Sequence, residues 1–181
     1  FNMLNTKYII YRNDEGQLQY VENDEVNGNA WFVQQLKTVK HPDNEILALD
    51  SLNTKTTAVV LENHHPDRKF IVDSTAFVKL SSYAPNKLVY KSKNTHDGFV
   101  VFSENYYKNG WEVTIDGQEV SHYNVNYILR GIDVPKGEHS IVFEFNPKVV
   151  RSGSQIALIS TILFIVLVLV ALGLFYNRSP E

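Results

Sequence analysis

The run from Ile156 to Phe175 constrains this chain more than any other feature: twenty consecutive residues carry neither a charge nor a proline. That is the length a helix needs to cross the hydrocarbon core of a bilayer. No polar side chain interrupts it between Ile162 and Phe175, which suits a lipid-facing anchor or outer bundle helix; an ion pathway would place ionisable groups inside the span. Lys148 and Arg151 precede the run and Arg178 follows it, so the flanking charges give no orientation. The expected organisation is a folded domain over residues 1–148, a short polar linker over 149–155, the span over 156–176 and a short tail over 177–181. The lipid bilayer is the partner of residues 156–175.

Only Arg178 and Glu181 are charged beyond Gln155, so the formal net charge of −3 belongs to the part before the span. An acidic balance argues against a nucleic-acid partner, which would need a basic face. The chain has no cysteine, and this removes disulfides, thiol nucleophiles, zinc-finger spacings and iron–sulfur clusters together. It begins at Phe1 without a basic and apolar leader, and is read as the C-terminal piece of a longer protein.

Ten Tyr and ten Phe accompany short runs that alternate apolar and polar residues, the period of half-buried strands. The clearest are Lys7 to Arg12, Thr57 to Leu61, Ala76 to Ser82, Lys87 to Tyr90, Phe99 to Ser103, Trp111 to Ile115, Tyr127 to Val134 and His139 to Phe145. Trp111, Val113 and Ile115 fall on one face, as do Ile141, Phe143 and Phe145. Asp116-Gly117 is a two-residue hairpin signal, Pro135 and Gly137 fit a type I turn, and Ala84-Pro85-Asn86 joins two of the runs. Strands at this spacing predict an all-β fold, an antiparallel β-sandwich of jelly-roll type rather than a parallel sheet. One short helix is expected from Pro42 to Leu52, with Ile46, Leu47 and Leu49 as its apolar face.

No phosphate-binding glycine loop, GxSxG or HExxH occurs. Glu62, His64, His65 and Asp67 form the nearest approach to a metal set, but adjacent histidines on a strand point to opposite faces, so a solvated loop is expected there and no metal. The segment Ser103 to Gly117 is the most suggestive for binding. Glu104, Tyr106, Tyr107 and Trp111 combine flat apolar rings with polar groups, as a sugar-binding surface requires; the commoner use of such rings is to plug one end of the sandwich, with Glu104 capping a turn. Trp31 carries the same two readings. Arg130 lies among apolar residues, either paired with a carboxylate such as Glu104 or placed to meet an anion.

Several phrases, in order, resemble the C-terminal end of YfhO-type bacterial membrane proteins: LNTKYII near the start, GNAWFV from Gly28, YAPNKLVY from Tyr83, GFVVFSENYYKNGWEVTIDG from Gly98 and LRGIDVPKGEHSIVFEFNP from Leu129, followed by a last membrane helix. The resemblance implies a large polytopic protein of the GT-C type. Such proteins use a polyprenyl-phosphate sugar donor to glycosylate cell-envelope polymers on the outer side of the cytoplasmic membrane. It also implies that the catalytic acid lies in an early loop outside these residues, so that no catalytic residue and no cofactor is assigned to them, and that the β domain faces the extracytoplasmic side.

Three functions follow. A non-catalytic extracytoplasmic domain could contact an acceptor glycan through an exposed strip of Trp31, Tyr106, Tyr107 and Trp111. A structural module could instead pack on the remaining transmembrane part of the same chain or on an envelope partner, with those rings buried. A hydrolase would need two carboxylates converging in a cleft, drawn from Glu104, Glu112, Asp116 and Asp133.

Overall fold

In the computed structural model, which describes residues 1–177, the expected β domain is present and carries more strands than alternation predicts. Strand order explains the packing. One sheet has five strands, in the order β11 (Gln118–Glu119), β10 (Trp111–Ile115), β14 (Gly137–Phe145), β8 (Lys87–Asn94) and β7 (Phe77–Ala84). The other has seven: β3 (Ala30–Val33), β9 (Gly98–Asn105), β13 (Leu129–Val134), β12 (Tyr123–Val125), β5 (Thr57–Leu61), β4 (Gln35–Val39) and β6 (Arg68–Lys69). A separate hairpin pairs β1 (Tyr8–Arg12) with β2 (Leu18–Glu22).

The seven-stranded sheet has to curl. β3 and β4 stand five strand spacings apart in the sheet, which is about 24 Å if it were flat, yet only Gln34 separates them in sequence. Closure is visible in the backbone: the Gln34 N–H donates to the Thr56 carbonyl at 2.7 Å, and the Phe70 N–H to the Gln34 carbonyl at 2.8 Å. The curled sheet encloses Trp31, Val33, Leu36, Val60, Phe70, Phe99 and Val101. Its outer face packs Phe32, Val100, Phe102 and Ile132 against Leu88, Tyr90, Ile141 and Phe143 of the five-stranded sheet. The fold is therefore a half-barrel and a sandwich sharing one sheet, with two apolar cores on either side of β3, β9 and β13. Gly131 marks the tightest point, because a Cβ there would stand 2.5 Å from Phe99.

Two details depart from the sequence expectation. The pair β4 and β5 is parallel, and its crossover is the helix α1 (Pro42–Ala48), so this sheet is mixed rather than wholly antiparallel. That helix stops short of Leu52, and it faces inward with Glu45, not with its aliphatic residues. Ile46 and Leu47 are exposed, whereas Glu45 is buried and accepts a hydrogen bond from the Tyr127 N–H at 2.8 Å.

The membrane-spanning helix α2 runs without a break from Lys148 to Asn177, and it is long and apolar enough to cross a membrane. Residues 149–155, expected as a linker, are its first turns. Ser, Gly and Arg there do not break the helix because none removes a backbone donor, as proline would. Of the expected tail 177–181, only Asn177 falls within the described residues, together with the helix.

Candidate functional site

The loop after β9 brings most of the suggestive residues together. In the ladder between β9 and β13, Phe102 pairs with Arg130 and Asn105 with Leu129, leaving Ser103 and Glu104 as extra residues on β9. Such a bulge bends the strand and re-aims its side chains. The chain then turns through Tyr106, Tyr107 and Lys108 to Gly110, whose φ is +103°, and a Cβ on Gly110 would stand 2.9 Å from both Phe145 and Pro147. Trp111 opens β10 directly afterwards, opposite Phe145 on β14.

Arg130 organises this end of the sandwich. It is 3% exposed, its Nε donates to the Asn105 carbonyl at 2.8 Å, and its guanidinium lies 4.1 Å from the centre of the Trp111 ring and 5.4 Å from that of Phe143. Its second partner is electrostatic: burial raises the Glu104 carboxyl above its ordinary range while the Arg130 charge draws it back. No ion pair within 4 Å joins Arg130 to Glu104; the side-chain hydrogen bond of Arg130 goes to the Asn105 carbonyl. Burial, and then the Arg130 charge, lower the pKa of His122. Its ring lies 5.1 Å from Tyr106.

A cleft of about 420 Å³ opens beside these groups, at the β10–β11 edge of the five-stranded sheet, lined by Tyr106, Lys108, Trp111, Glu112, Glu119 and His122 among others. The Nδ1 of His122 is buried without a protein partner. The wall therefore offers aromatic edges, an imidazole, one ammonium and two carboxylates.

The six residues singled out from the sequence divide. Glu104, Tyr106, Trp111 and Arg130 gather at this end, and Tyr107 is 54% exposed in the same loop. Trp31 does not join them. It is enclosed by the curled sheet, where its indole N–H donates to the Thr54 carbonyl at 2.9 Å. Neither is the Trp111 ring free, since Arg130 covers it and Phe145 leans on it at 5.3 Å. The continuous exposed strip of Trp31, Tyr106, Tyr107 and Trp111 is not formed. His122 and Glu119 were missed. The Asp116-Gly117 turn held the signal for both, because a hairpin there returns residues 119–122 alongside 111–114, as the Val120 N–H to Val113 carbonyl bond of 2.9 Å confirms.

Of the four acids named for a hydrolase, only Glu112 lines the cleft, and the other three stand apart from it. Asp116 accepts from His139 at 2.7 Å, Asp133 meets His65 at 3.0 Å and Arg68 at 3.7 Å, and Glu104 stands beside Arg130. His65 also corrects the expected solvated loop at 62–67. It is buried, edge-on to Phe99 and Tyr123, while its neighbour His64 is exposed. Among the described residues, no group of three or more His, Asp and Glu is placed to hold a metal ion.

No curated protein and no solved structure matches the chain. The family profile described as bacterial membrane protein YfhO matches residues 13–176, which takes in every strand of both larger sheets and all but the last residue of the membrane-spanning helix. With a β-rich domain running straight into one apolar helix, the chain belongs to the YfhO family of bacterial membrane proteins.

Proposed function

We propose that these residues form a non-catalytic, extracytoplasmic structural module of a larger glycosyltransferase-like membrane protein, mounted on the outer side of the bacterial cytoplasmic membrane. The observation that carries this reading is the junction. β14 ends at Phe145 and α2 begins at Lys148, so two residues separate a packed sheet from a helix that continues into the apolar span. A helical connection transmits position, which a flexible linker would not. The burial of Trp31 and the covered ring of Trp111 favour the structural role over a glycan-stacking strip. In the whole protein, a polyprenyl-phosphate sugar donor would belong to the membrane portion.

The junction is tested by inserting a flexible Gly-Ser segment between Pro147 and Lys148 of the full-length protein. If the helix positions the domain, envelope glycosylation falls although the protein still inserts and the domain still folds. Unchanged glycosylation would overturn the reading.

The cleft supports a second reading, contact with the acceptor glycan, because it sets Tyr106, Lys108, Glu119 and His122 around one opening. Titration of the full chain in nanodiscs with envelope-type oligosaccharides, followed by tryptophan fluorescence, separates the two. Saturable binding lost in Lys108→Ala and Glu119→Gln supports glycan contact; no response at millimolar ligand excludes it.

A further inference from the structure

The β1–β2 hairpin stands outside both cores. One of its faces carries Tyr8, Ile10, Leu18 and Tyr20, which are between 50% and 71% exposed and shape a shallow apolar groove. The opposite face offers little more cover, since Tyr11 and Val21 are about half exposed too. An isolated two-stranded ribbon is marginal in water, and an apolar surface of this kind marks a contact.

Connectivity says where that contact lies. Membrane-spanning helix α2 leaves the domain from the end of β14, beside Trp111. The C-terminal end of β9 is at the same end, because only residues 106–110 separate it from Trp111. There, the Ser103 hydroxyl donates to the Met3 carbonyl at 3.0 Å, and the Ser103 N–H to the Asn29 carbonyl at 2.9 Å. The hairpin is tied to this same point: the Asn23 amide donates to Asn2 Oδ1 and to the Thr6 carbonyl, each at 3.0 Å. The root of the hairpin and the root of the membrane helix therefore share one end of the domain. Residues 148–155 raise the span by about 12 Å, and the headgroup layer occupies roughly 5 to 7 Å on each side of the core. A ribbon of five residues per strand reaches about 16 Å, enough to bridge that gap.

We propose that the Tyr8, Ile10, Leu18 and Tyr20 face of the hairpin docks on the interfacial layer of the bilayer in which α2 is embedded. Tyrosine suits that depth, with an apolar ring and a hydroxyl that stays wet. Lys7 and Arg12 are outnumbered by Asp14, Glu15 and Glu22 in this ribbon, so attraction to anionic lipid does not drive the contact and apolar burial does. Docking is independent of whether the cleft binds a glycan.

These 181 residues contain no cysteine, so a single probe placed in them reports cleanly. Leu18→Cys, labelled with an environment-sensitive fluorophore in phosphatidylcholine nanodiscs, is expected to emit blue-shifted, to lose most of its emission to spin-labelled lipid of shallow depth, and to keep both effects at high salt. Gln118→Cys, exposed on β11 at the far end of β10, is expected to show neither. Adding Tyr20→Ser and Ile10→Ser to the Leu18 probe should abolish the shift while unchanged Trp31 and Trp111 fluorescence shows the cores intact. Red emission open to aqueous iodide would overturn the proposal. So would a blue shift without lipid quenching, which would assign the face to a protein partner.

Discussion

Removing the Arg130 guanidinium tests how the candidate site is held together. In Arg130→Met the side-chain volume is roughly kept, but the Asn105 carbonyl loses its charged donor at 2.8 Å and Trp111 loses a cation at 4.1 Å. A hydrogen bond to a charged group contributes about 1.5–3 kcal/mol, and a desolvated cation–π contact about 1–2 kcal/mol. Against this, Arg130 is itself costly to bury, and one of its terminal nitrogens has no protein partner, so the net loss should be about 2–4 kcal/mol. The sign with pH follows from Glu104, whose pKa is already raised by burial and loses the charge that lowers it. A carboxyl with a raised folded pKa destabilises the fold above that pKa, and the penalty fades as pH falls through it toward the unfolded value. Arg130→Met should therefore be weakest at neutral pH and regain stability on acidification, and Arg130→Met with Glu104→Gln should recover part of the loss at pH 7. Urea unfolding of the full chain in nanodiscs, followed by tryptophan emission, measures all three. A single variant within about 0.5 kcal/mol of the parent, or one whose deficit does not shrink as pH falls, would refute the electrostatic account.

Three further outcomes follow from the same packing. Gly131→Ala places a methyl 2.5 Å from the Phe99 ring, and overpacking of this kind should cost about 1–3 kcal/mol in the same unfolding assay. Asn126→Ala removes the acceptor of the buried Val59 N–H at 2.9 Å and leaves alanine at a φ of +50°; a loss of about 2–4 kcal/mol is expected, with Asn126→Asp retaining more stability than alanine. At the Asp116–His139 pair, the hydrogen bond lowers the Asp116 pKa and raises that of His139. Its contribution, about 0.5–1 kcal/mol, is complete only between the unfolded values of the two groups, near pH 4 to 6.5. It disappears as pH falls through the lowered Asp116 value or rises through the raised His139 value, and His139→Gln should flatten that bell in a melting-temperature profile.

The strands legible in the sequence are those with one wet face. β8 buries Leu88, Tyr90, Ser92 and Asn94 and leaves Lys87, Lys91 and Lys93 outside, and β10 and β14 alternate in the same way, so their positions could be read from period alone. β3 is different. All four of its residues are buried because it has a core on each side, and AWFV therefore shows no alternation. The strand that follows it in sequence, β4, shows no sign of being the partner of β5, since a parallel pairing made through a seven-residue helix leaves no turn signal between the strands. The β1 strand was found, yet its alternation did not point to a core within the domain.

The candidate site was legible in the same measure. Glu104, Tyr106 and Trp111 are near one another in sequence, and a single loop keeps them near in space. Assigning Trp31 to the same surface required knowing which core its strand face meets, and parity decides this. On β3, Ala30 and Phe32 enter the sandwich, so Trp31 and Val33 must enter the curled sheet. Parity on β13 sets Leu129 into the curled sheet and Arg130 on the other face, over Trp111. A one-residue shift in β3 would turn Trp31 into the sandwich, and one in β13 would take Arg130 off Trp111. The two-residue bulge at Ser103 and Glu104 returns Asn105 to register with Leu129, and so keeps its carbonyl within reach of Arg130. What joins the cleft to the membrane helix is thus the spacing of β9 against β13: it fixes Arg130 on Trp111, and Trp111 pairs with Phe145, the last strand residue before α2.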